Sequence, residues 1–267
     1  MGSSERGGRL LLAGGHSARA WAEPEIVAGL ARLSGGAGPA RVVIASAVTE
    51  EGREPDEAAR AALGRVGVVD VRALEMAGPD DAARARALAI VERATAIVFE
   101  GDDPQRLARL LRETPLDATI RRRLGDSLLV AGLGLVAPAL AGRMLVDDVP
   151  DPDHGPAPER TEPIRGLAYL AGIVLDPFFF RDRRPDRLVS ALAEGGGDLG
   201  LGIEEATALI VDRGVLRVLG RGSAMVVDVT SRAAEGLGGM APIHTLRPGD
   251  RFDLAARAPL PPGLGPA

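Results

Sequence analysis

The sequence predicts an α/β protein with three layers, in which helices cover both faces of a largely parallel sheet. Short, continuously apolar runs recur along the first half of the chain, separated by amphipathic stretches of about ten residues. This alternation is typical of parallel strands joined by helical crossovers. With 46% hydrophobic and 26% charged residues among 267, the composition indicates a globular chain and excludes wholesale disorder.

The predicted strands of the first half are residues 9–13, 41–45, 68–74, 96–100 and 127–131. Apolar residues at helical spacing predict helices over 24–33, 54–66, 80–92, 104–112 and 117–125. The order of these elements predicts a sheet that is buried on both faces.

The second half begins differently. Residues 147–162 are rich in Pro and Asp without a period and predict a long loop. A strand is predicted over 167–175 and a helix over 185–194, ending at a run of glycines. Short strands at 208–212, 215–220 and 224–228 predict a β-meander at the far edge of the sheet. We expect one domain over 1–258 and a disordered tail over 259–267.

Composition excludes several kinds of chemistry. The chain has no Cys and no Lys, which excludes disulfides, thiolate metal sites, a cysteine nucleophile and a Schiff-base or P-loop lysine. A net charge of −5 gives no reason to expect nucleic acid as a partner. No apolar run is long enough to cross a membrane and the start lacks a signal-peptide pattern, so we expect a cytoplasmic protein.

Several segments resemble one peptidase family. Residues 200–211, 215–220 and 225–228 resemble the C-terminal half of cyanophycinases, which are serine peptidases related to dipeptidase E. Residues 10–15 resemble the opening strand and Gly-rich turn of that family, and 97–107 resemble its F-x-G-G-D-Q-x-R-L segment. The resemblance extends from about residue 9 to about residue 254 and implies a class I glutamine amidotransferase-like fold.

The nucleophile position implied by this resemblance has no hydroxyl. The family places its serine in the elbow G-T-S-A-G-A, and the corresponding stretch here is 132–137, which puts Gly134 at the serine. A shift of one residue would put Leu133 there instead. Such an elbow is a strained turn, which glycine adopts without steric cost. The resemblance therefore implies an elbow that has kept its shape and lost its nucleophile.

The other two members of the family's triad differ in their fate. The family's histidine position corresponds to Phe178, which cannot accept a proton, whereas its glutamate corresponds to Glu205, which is present. Without a base to orient, Glu205 is expected to have no catalytic role. The resemblance and the position of strand ends in α/β sheets imply ligand contacts from Gly14, Gly15, His16, Ser46, Gly101, Asp102, Asp103, Gly132 and Leu133.

Other residues could replace the missing groups. His16 follows the first strand, where it is either a cleft residue or a solvated loop residue. His154 lies in the Asp-rich loop, where a divalent cation is one alternative and simple solvation the other, and His244 is expected to be structural. Ser17 and Ser46 are candidate nucleophiles or, alternatively, turn and capping residues.

We therefore expect a catalytically degenerate cyanophycinase-like protein that binds or scaffolds, without metal or other cofactor. The resemblance implies a homodimer, or a heterodimer with an active paralogue, and a peptide or Asp–Arg polymer as ligand. The alternative is an active hydrolase on Asp/Arg-type peptides, whose displaced catalytic residues would come from His16, Ser46, Glu205 or the Asp-rich loop.

Overall fold

The structure, a computed structural model, describes residues 8–47, 57–78, 80–81, 84–145, 163–177, 185–193, 197–230 and 242–261. Its helices are α1 (Ser17–Ala22), α2 (Pro24–Leu33), α3 (Glu57–Arg65), α4 (Ala85–Arg93), α5 (Pro104–Leu111), α6 (Pro115–Leu124) and α7 (Pro185–Ala191). A 3-10 helix covers Gly134–Leu140. The strands are β1 (Arg9–Ala13), β2 (Arg41–Ala47), β3 (Asp70–Met76), β4 (Ala96–Glu100), β5 (Leu129–Leu133), β6 (Ala141–Met144), β7 (Ile164–Arg165), β8 (Leu170–Asp176), β9 (Leu199–Ile203), β10 (Thr207–Asp212), β11 (Val215–Gly220), β12 (Ala224–Asp228), β13 (Ile243–Leu246), β14 (Arg251–Asp253) and β15 (Ala258–Leu260).

Nine of the described strands form the first sheet, in the order β15-β14-β11-β10-β1-β5-β4-β2-β3. The strands from β1 to β3 in this order run parallel, and those from β10 to β15 are antiparallel to their neighbours. The predicted α/β class with a largely parallel sheet is therefore confirmed.

Alternation along β1 shows how the layers are built. Leu11 and Ala13 are buried in one cluster with residues of α1, α2 and α3, whereas Leu10 and Leu12 are buried in another with residues of α4, α5 and α6. Successive side chains of a strand point to opposite faces, so the side chains of a continuous apolar run are all buried only when other elements pack on both faces of the sheet.

A second sheet, which the sequence analysis did not predict, packs in the same cluster as α4 to α6. Its order is β13-β12-β9-β8-β6-β7, and its buried residues Leu175, Leu201 and Val226 share a core with Leu10 and Leu12 of the first sheet. One face of the main sheet is thus covered by helices alone, and the other by helices together with this second sheet.

The predicted meander needs a correction in its third strand. β10 and β11 form the expected antiparallel hairpin, but β12 pairs with β9 and β13 in the second sheet. The strand that continues the edge of the first sheet is β14, followed by β15. β15 also takes Pro259 and Leu260, the start of the predicted disordered tail, into the sheet, and residues 262–267 lie outside the described part.

Arginine and tyrosine side chains join the second sheet to α6. The Tyr169 hydroxyl donates to Asp117 Oδ1 at 2.8 Å, and the Arg121 guanidinium lies 4.8 Å from the centre of the Tyr169 ring. Arg121 also bonds to the Leu167 carbonyl oxygen. Burial, together with the adjacent Asp117 charge, raises the pKa of Tyr169 well above its ordinary value of 10.0, so the phenol remains a donor.

A polar cluster joins Arg257, which directly precedes β15, to the second sheet. Arg257 donates to Asp228 Oδ1 at 2.7 Å and to Asp198 Oδ2 at 3.2 Å, and the N–H of Thr230 donates to Asp228 at 3.0 Å. Burial raises the pKa of Asp228, but the hydrogen bonds from Thr230 and Arg257 outweigh it, so the pKa lies below the ordinary value of 3.8.

Replacement of Asp228 is expected to destabilise the protein in a pH-dependent way. Because the pKa of Asp228 is lower in the folded state, its contribution is complete above the unfolded-state pKa and is lost as pH falls through the folded-state pKa. Asp228→Asn should lower the free energy of unfolding at pH 7 by about 1–3 kcal/mol. This difference should shrink on acidification below 3.8. Urea denaturation at neutral and acidic pH measures it.

The matched control is Asp212→Asn, which changes a half-exposed carboxylate that is paired with Arg213. This variant should stay close to the wild type at both pH values. A loss of stability in Asp228→Asn that is equally large at acidic pH would contradict the role assigned to the charge.

Candidate functional site

The ends of the parallel strands bring the predicted elbow and loops to one edge of the sheet. β1 lies beside β5, and β4 lies between β5 and β2. The turn after β1 holds Gly14 to His16, the turn after β4 holds Gly101 to Asp103, and Gly134 follows β5. Carboxyl ends of parallel strands are where open α/β sheets bind ligands.

Gly134 keeps the backbone of an elbow and has no space for a side chain. Its φ is +71°, a conformation that L residues rarely adopt. A Cβ atom at this position would lie 2.6 Å from the Ser17 amide nitrogen and 3.2 Å from the Gly15 carbonyl oxygen. The backbone of the β1–α1 turn therefore fills the place that any side chain at position 134 would need.

The residues around the elbow serve packing. Leu133 is fully buried in the cluster with α1 to α3, so the shifted alignment would not present a side chain to the cleft either. At Gly132 a Cβ atom would lie 2.9 Å from Ala137 Cα, which explains why this position is a glycine. Leu133 and Gly132 therefore make close contacts within the core, and the ligand contacts expected from them stay a prediction.

The β1–α1 turn is held by the strands on its other side. The Gly14 N–H donates to the Thr207 carbonyl oxygen at 3.0 Å, and the Gly15 N–H donates to the Pro177 carbonyl oxygen at 2.8 Å. A Cβ atom at Gly14 would lie 2.5 Å from the Glu204 carbonyl oxygen, and one at Gly15 would lie 2.5 Å from Glu205 Cγ. Both glycines therefore allow the turn to approach residues 204–205 closely.

That close approach brings His16 to Glu205. His16 Nδ1 lies 3.4 Å from Glu205 Oε1, and Arg19 Nε lies 3.9 Å from the same oxygen. The side chains of His16 and Glu205 are 54% and 47% exposed. Sequence reasoning left Glu205 without a base, because 189 residues separate the pair and no local pattern connects them. The structure places the imidazole of His16, from the β1–α1 turn, beside this carboxylate.

The two aspartates of the turn after β4 differ in their roles: Asp103 is structural, and Asp102 is exposed to solvent. Asp103 caps α5, its side chain accepting the Arg106 N–H at 2.7 Å, and Pro104 occupies the first helical turn. Asp102 is exposed, and Gly101 has a φ of +137°. Asp102 is thus the carboxylate of this turn that is not committed to capping.

Two residues at this edge were missed by sequence reasoning. The Trp21 indole N–H donates to Glu100 Oε2 at 3.0 Å, and both residues are buried. A charged residue at the end of the apolar strand β4 was the sequence signal that could have identified Glu100 as a residue of this edge. Ser46 lies beside Glu100 in the register of β2 and β4, and its Oγ is buried without a hydrogen-bond partner in the described structure.

Of the three remaining candidates, the structure describes only His244. Phe178 and His154 lie outside the described residues, so the fate of the family's histidine position and of the Asp-rich loop stays a prediction. His244 lies on β13 and contacts the Phe252 ring at a centroid distance of 5.2 Å. Among the described helices, none has the length and apolarity that a membrane crossing requires.

Comparison with known proteins agrees with this architecture. The pattern of peptidase family S51 matches residues 10–219. A cyanophycinase of Trichormus variabilis is 30% identical over 210 residues, which cover 73% of this chain and 69% of that protein. A cyanophycinase of Synechococcus elongatus is 33% identical over 187 residues, 66% of this chain and 56% of that protein.

Two solved structures share the fold. A peptidase from an acI-B1 Actinobacterium has a TM-score of 0.66 at 22% identity, over 92% of this chain and 96% of that one. A putative peptidase E protein from Listeria monocytogenes EGD-e has a TM-score of 0.54 at 11% identity, over 80% and 99%. Together with the match over 10–219, the cyanophycinase relatives show that the chain belongs to peptidase family S51.

Proposed function

We propose that this S51 protein does not use the covalent serine mechanism, and that its cleft binds a peptide-like ligand. The observation that carries the proposal is the elbow at Gly134. This position has no side chain, and the Ser17 amide nitrogen lies 2.6 Å from where a Cβ atom would be. A nucleophile must reach both its base and the substrate carbonyl from that point. Neither Gly134 nor the buried Leu133 offers such a group.

The charges around the turn suit a ligand with groups of both signs. Glu205 and Asp102 contribute carboxylates at the edge, and Arg19, which is 70% exposed, contributes a guanidinium. A peptide with acidic and basic side chains could pair with both kinds of group. Since the relatives are cyanophycinases, cyanophycin and its Asp–Arg fragments are the ligands to test first.

The purified protein is expected neither to be labelled by a fluorophosphonate nor to degrade cyanophycin. The physical reason is the absence of an activated hydroxyl at the elbow. Labelling is read by mass spectrometry, and turnover by release of Asp–Arg dipeptide, with an active cyanophycinase as the positive control. Stoichiometric labelling of any serine, or cyanophycin turnover through such a labelled serine, would contradict the proposal.

Ligand binding is expected to change the fluorescence of Trp21, the single tryptophan of the chain. Its indole is bonded to Glu100 at the end of β4, and α1, which carries it, begins beside His16. Titration with a β-Asp–Arg dipeptide should give a saturable change, whereas an Ala–Ala dipeptide should give none.

The control variant for this titration is His244→Ala, which alters a ring on the second sheet and should leave the response unchanged. Calorimetry of the same titration provides an independent reading. Absence of heat and of a fluorescence change with both the dipeptide and the polymer would refute the ligand class.

The filled elbow is expected to make Gly134 intolerant of any side chain. Gly172 is a matched control, because its φ of +73° is close to that of Gly134 while nothing lies within 4 Å of its Cβ position. Gly172→Ala should lower the free energy of unfolding by about 1–2 kcal/mol through the backbone alone. Gly134→Ala should lose clearly more, because the Ser17 amide must move.

Gly134→Ser should behave like Gly134→Ala and should gain no fluorophosphonate labelling. Urea denaturation measures both glycine variants, and their difference isolates the contact with the β1–α1 turn. Equal losses at positions 134 and 172 would mean that the turn yields readily, and the central observation would then carry no weight.

The expected assembly as a homodimer, or as a heterodimer with an active paralogue, stays a prediction. Light scattering of the chain alone and mixed with an active homologue tests it.

A further inference from the structure

The pair formed by His16 and Glu205 is a feature that ligand binding alone does not require. His16 Nδ1 and Glu205 Oε1 are 3.4 Å apart, slightly longer than a formed hydrogen bond. Catalytic pairs often lie at such distances before a ligand closes the site. Both side chains are about half exposed, so water and a ligand can reach them.

The backbone on each side of the pair is fixed. His16 caps α1, and its carbonyl oxygen accepts the N–H groups of Arg19 and Ala20 at 3.0 and 3.3 Å. Glu205 forms a parallel bridge with Gly14, and its carbonyl oxygen accepts the Thr207 hydroxyl at 3.3 Å. The two functional groups therefore meet because of the fold and not through chance contact of two flexible loops.

The pair also lies beside the elbow. The carbonyl carbon of His16 is 3.1 Å from the position of a Cβ atom at Gly134. Arg19 places a positive charge 3.9 Å from the Glu205 carboxylate, on the same oxygen that faces His16. A carboxylate that accepts from Nδ1–H fixes the tautomer in which Nε2 carries no proton.

We propose that His16, positioned by Glu205, acts as a general base on water, so that the cleft hydrolyses small activated carboxylic esters by single displacement. This goes beyond the proposed function, which concerns the covalent mechanism and ligand binding. His16 would be the catalytic residue, since it contacts the reacting water, and Glu205 a positioning residue.

The step balances without any further reactant. The water oxygen forms a bond to the ester carbonyl carbon while His16 takes one of the water protons. The bond from that carbon to the leaving oxygen then breaks, and the leaving oxygen receives the proton from His16. The products are a carboxylic acid and an alcohol, and no acyl group is ever bound to the protein.

The experiment measures hydrolysis of p-nitrophenyl acetate by the full chain and its variants. The wild type should turn over above the buffer rate, with no initial burst and with a solvent isotope effect from proton transfer. His16→Ala should lose kcat/KM about 100-fold or to the buffer rate, the usual scale of general-base catalysis. The side chains of His16 and of Glu205, the two residues to be changed, are half exposed, so their replacement should not affect folding. Trp21 fluorescence checks this.

Glu205→Gln should lower kcat about tenfold with KM little changed, because it removes orientation and not substrate contact. Glu205→Asp should recover part of the loss. The matched controls are His244→Ala, which removes an imidazole on the second sheet, and Ser17→Ala, which removes the hydroxyl of the residue whose amide nitrogen faces Gly134. Both should retain the wild-type rate.

The proposal is overturned if the wild type does not exceed the buffer rate, or if His16→Ala retains the wild-type rate. A burst that is abolished in Ser17→Ala would also overturn it, since the nucleophile would then be a serine. Only this last outcome, together with fluorophosphonate labelling, refutes the proposed function as well. Loss of ester hydrolysis alone, with ligand binding intact, refutes the present inference and leaves the proposed function standing.

Discussion

The close approach of three backbone segments is the constraint on which the site depends. The turn after β1 packs against the elbow after β5 on one side and against residues 204–205 on the other, with no space for a Cβ atom at Gly14, Gly15 or Gly134. Glycine is the residue that can take these positions, two of which also have positive φ. The same packing that leaves no space for a Cβ atom at Gly134 brings His16 to Glu205. Both features thus follow from the close approach of these three segments.

The second sheet supports that contact. Pro177, which directly follows β8, accepts the Gly15 N–H through its carbonyl oxygen, and β9 leads directly into residues 204–205. The sheet is in turn attached to α6 through Tyr169, Asp117 and Arg121, and it shares a buried core with the main sheet. Displacement of the turn would therefore have to disturb a hydrogen-bonded layer, and not only a surface loop.

Membership of family S51 and the local chemistry of the cleft answer different questions. The fold and the sequence match establish the ancestry of the chain, but a fold does not by itself carry an activity. What a cleft can do depends on which groups meet there and with what geometry. Here the carboxylate of Glu205 lies beside the imidazole of His16, and Gly134 on the other side of the β1–α1 turn presents only backbone.

The sequence by itself determined the α/β class and the parallel strands, and it predicted that Gly134 stands at the nucleophile position of the family's motif. Strands such as Arg9–Ala13 and Ala96–Glu100 are recognised from their short, continuous runs of apolar residues. The residue at position 134 can be compared directly with the family's motif. These are local properties, which a linear pattern can express. The 3-10 helix after β5, which contains Pro138 and packs closely against Gly132, was not predicted from such a pattern.

Only the tertiary structure decided the second sheet, the exchange of β12 for β14 at the sheet edge, and the meeting of His16 with Glu205. Pairing between strands that are distant in sequence depends on which exposed edges and faces remain after the first layers have packed. Short strands such as Arg251–Asp253 have too few residues for their sequence pattern to predict which strand they pair with. The contact of His16 with Glu205 likewise arises from two turns that the glycines allow to approach, and no spacing along the chain encodes it.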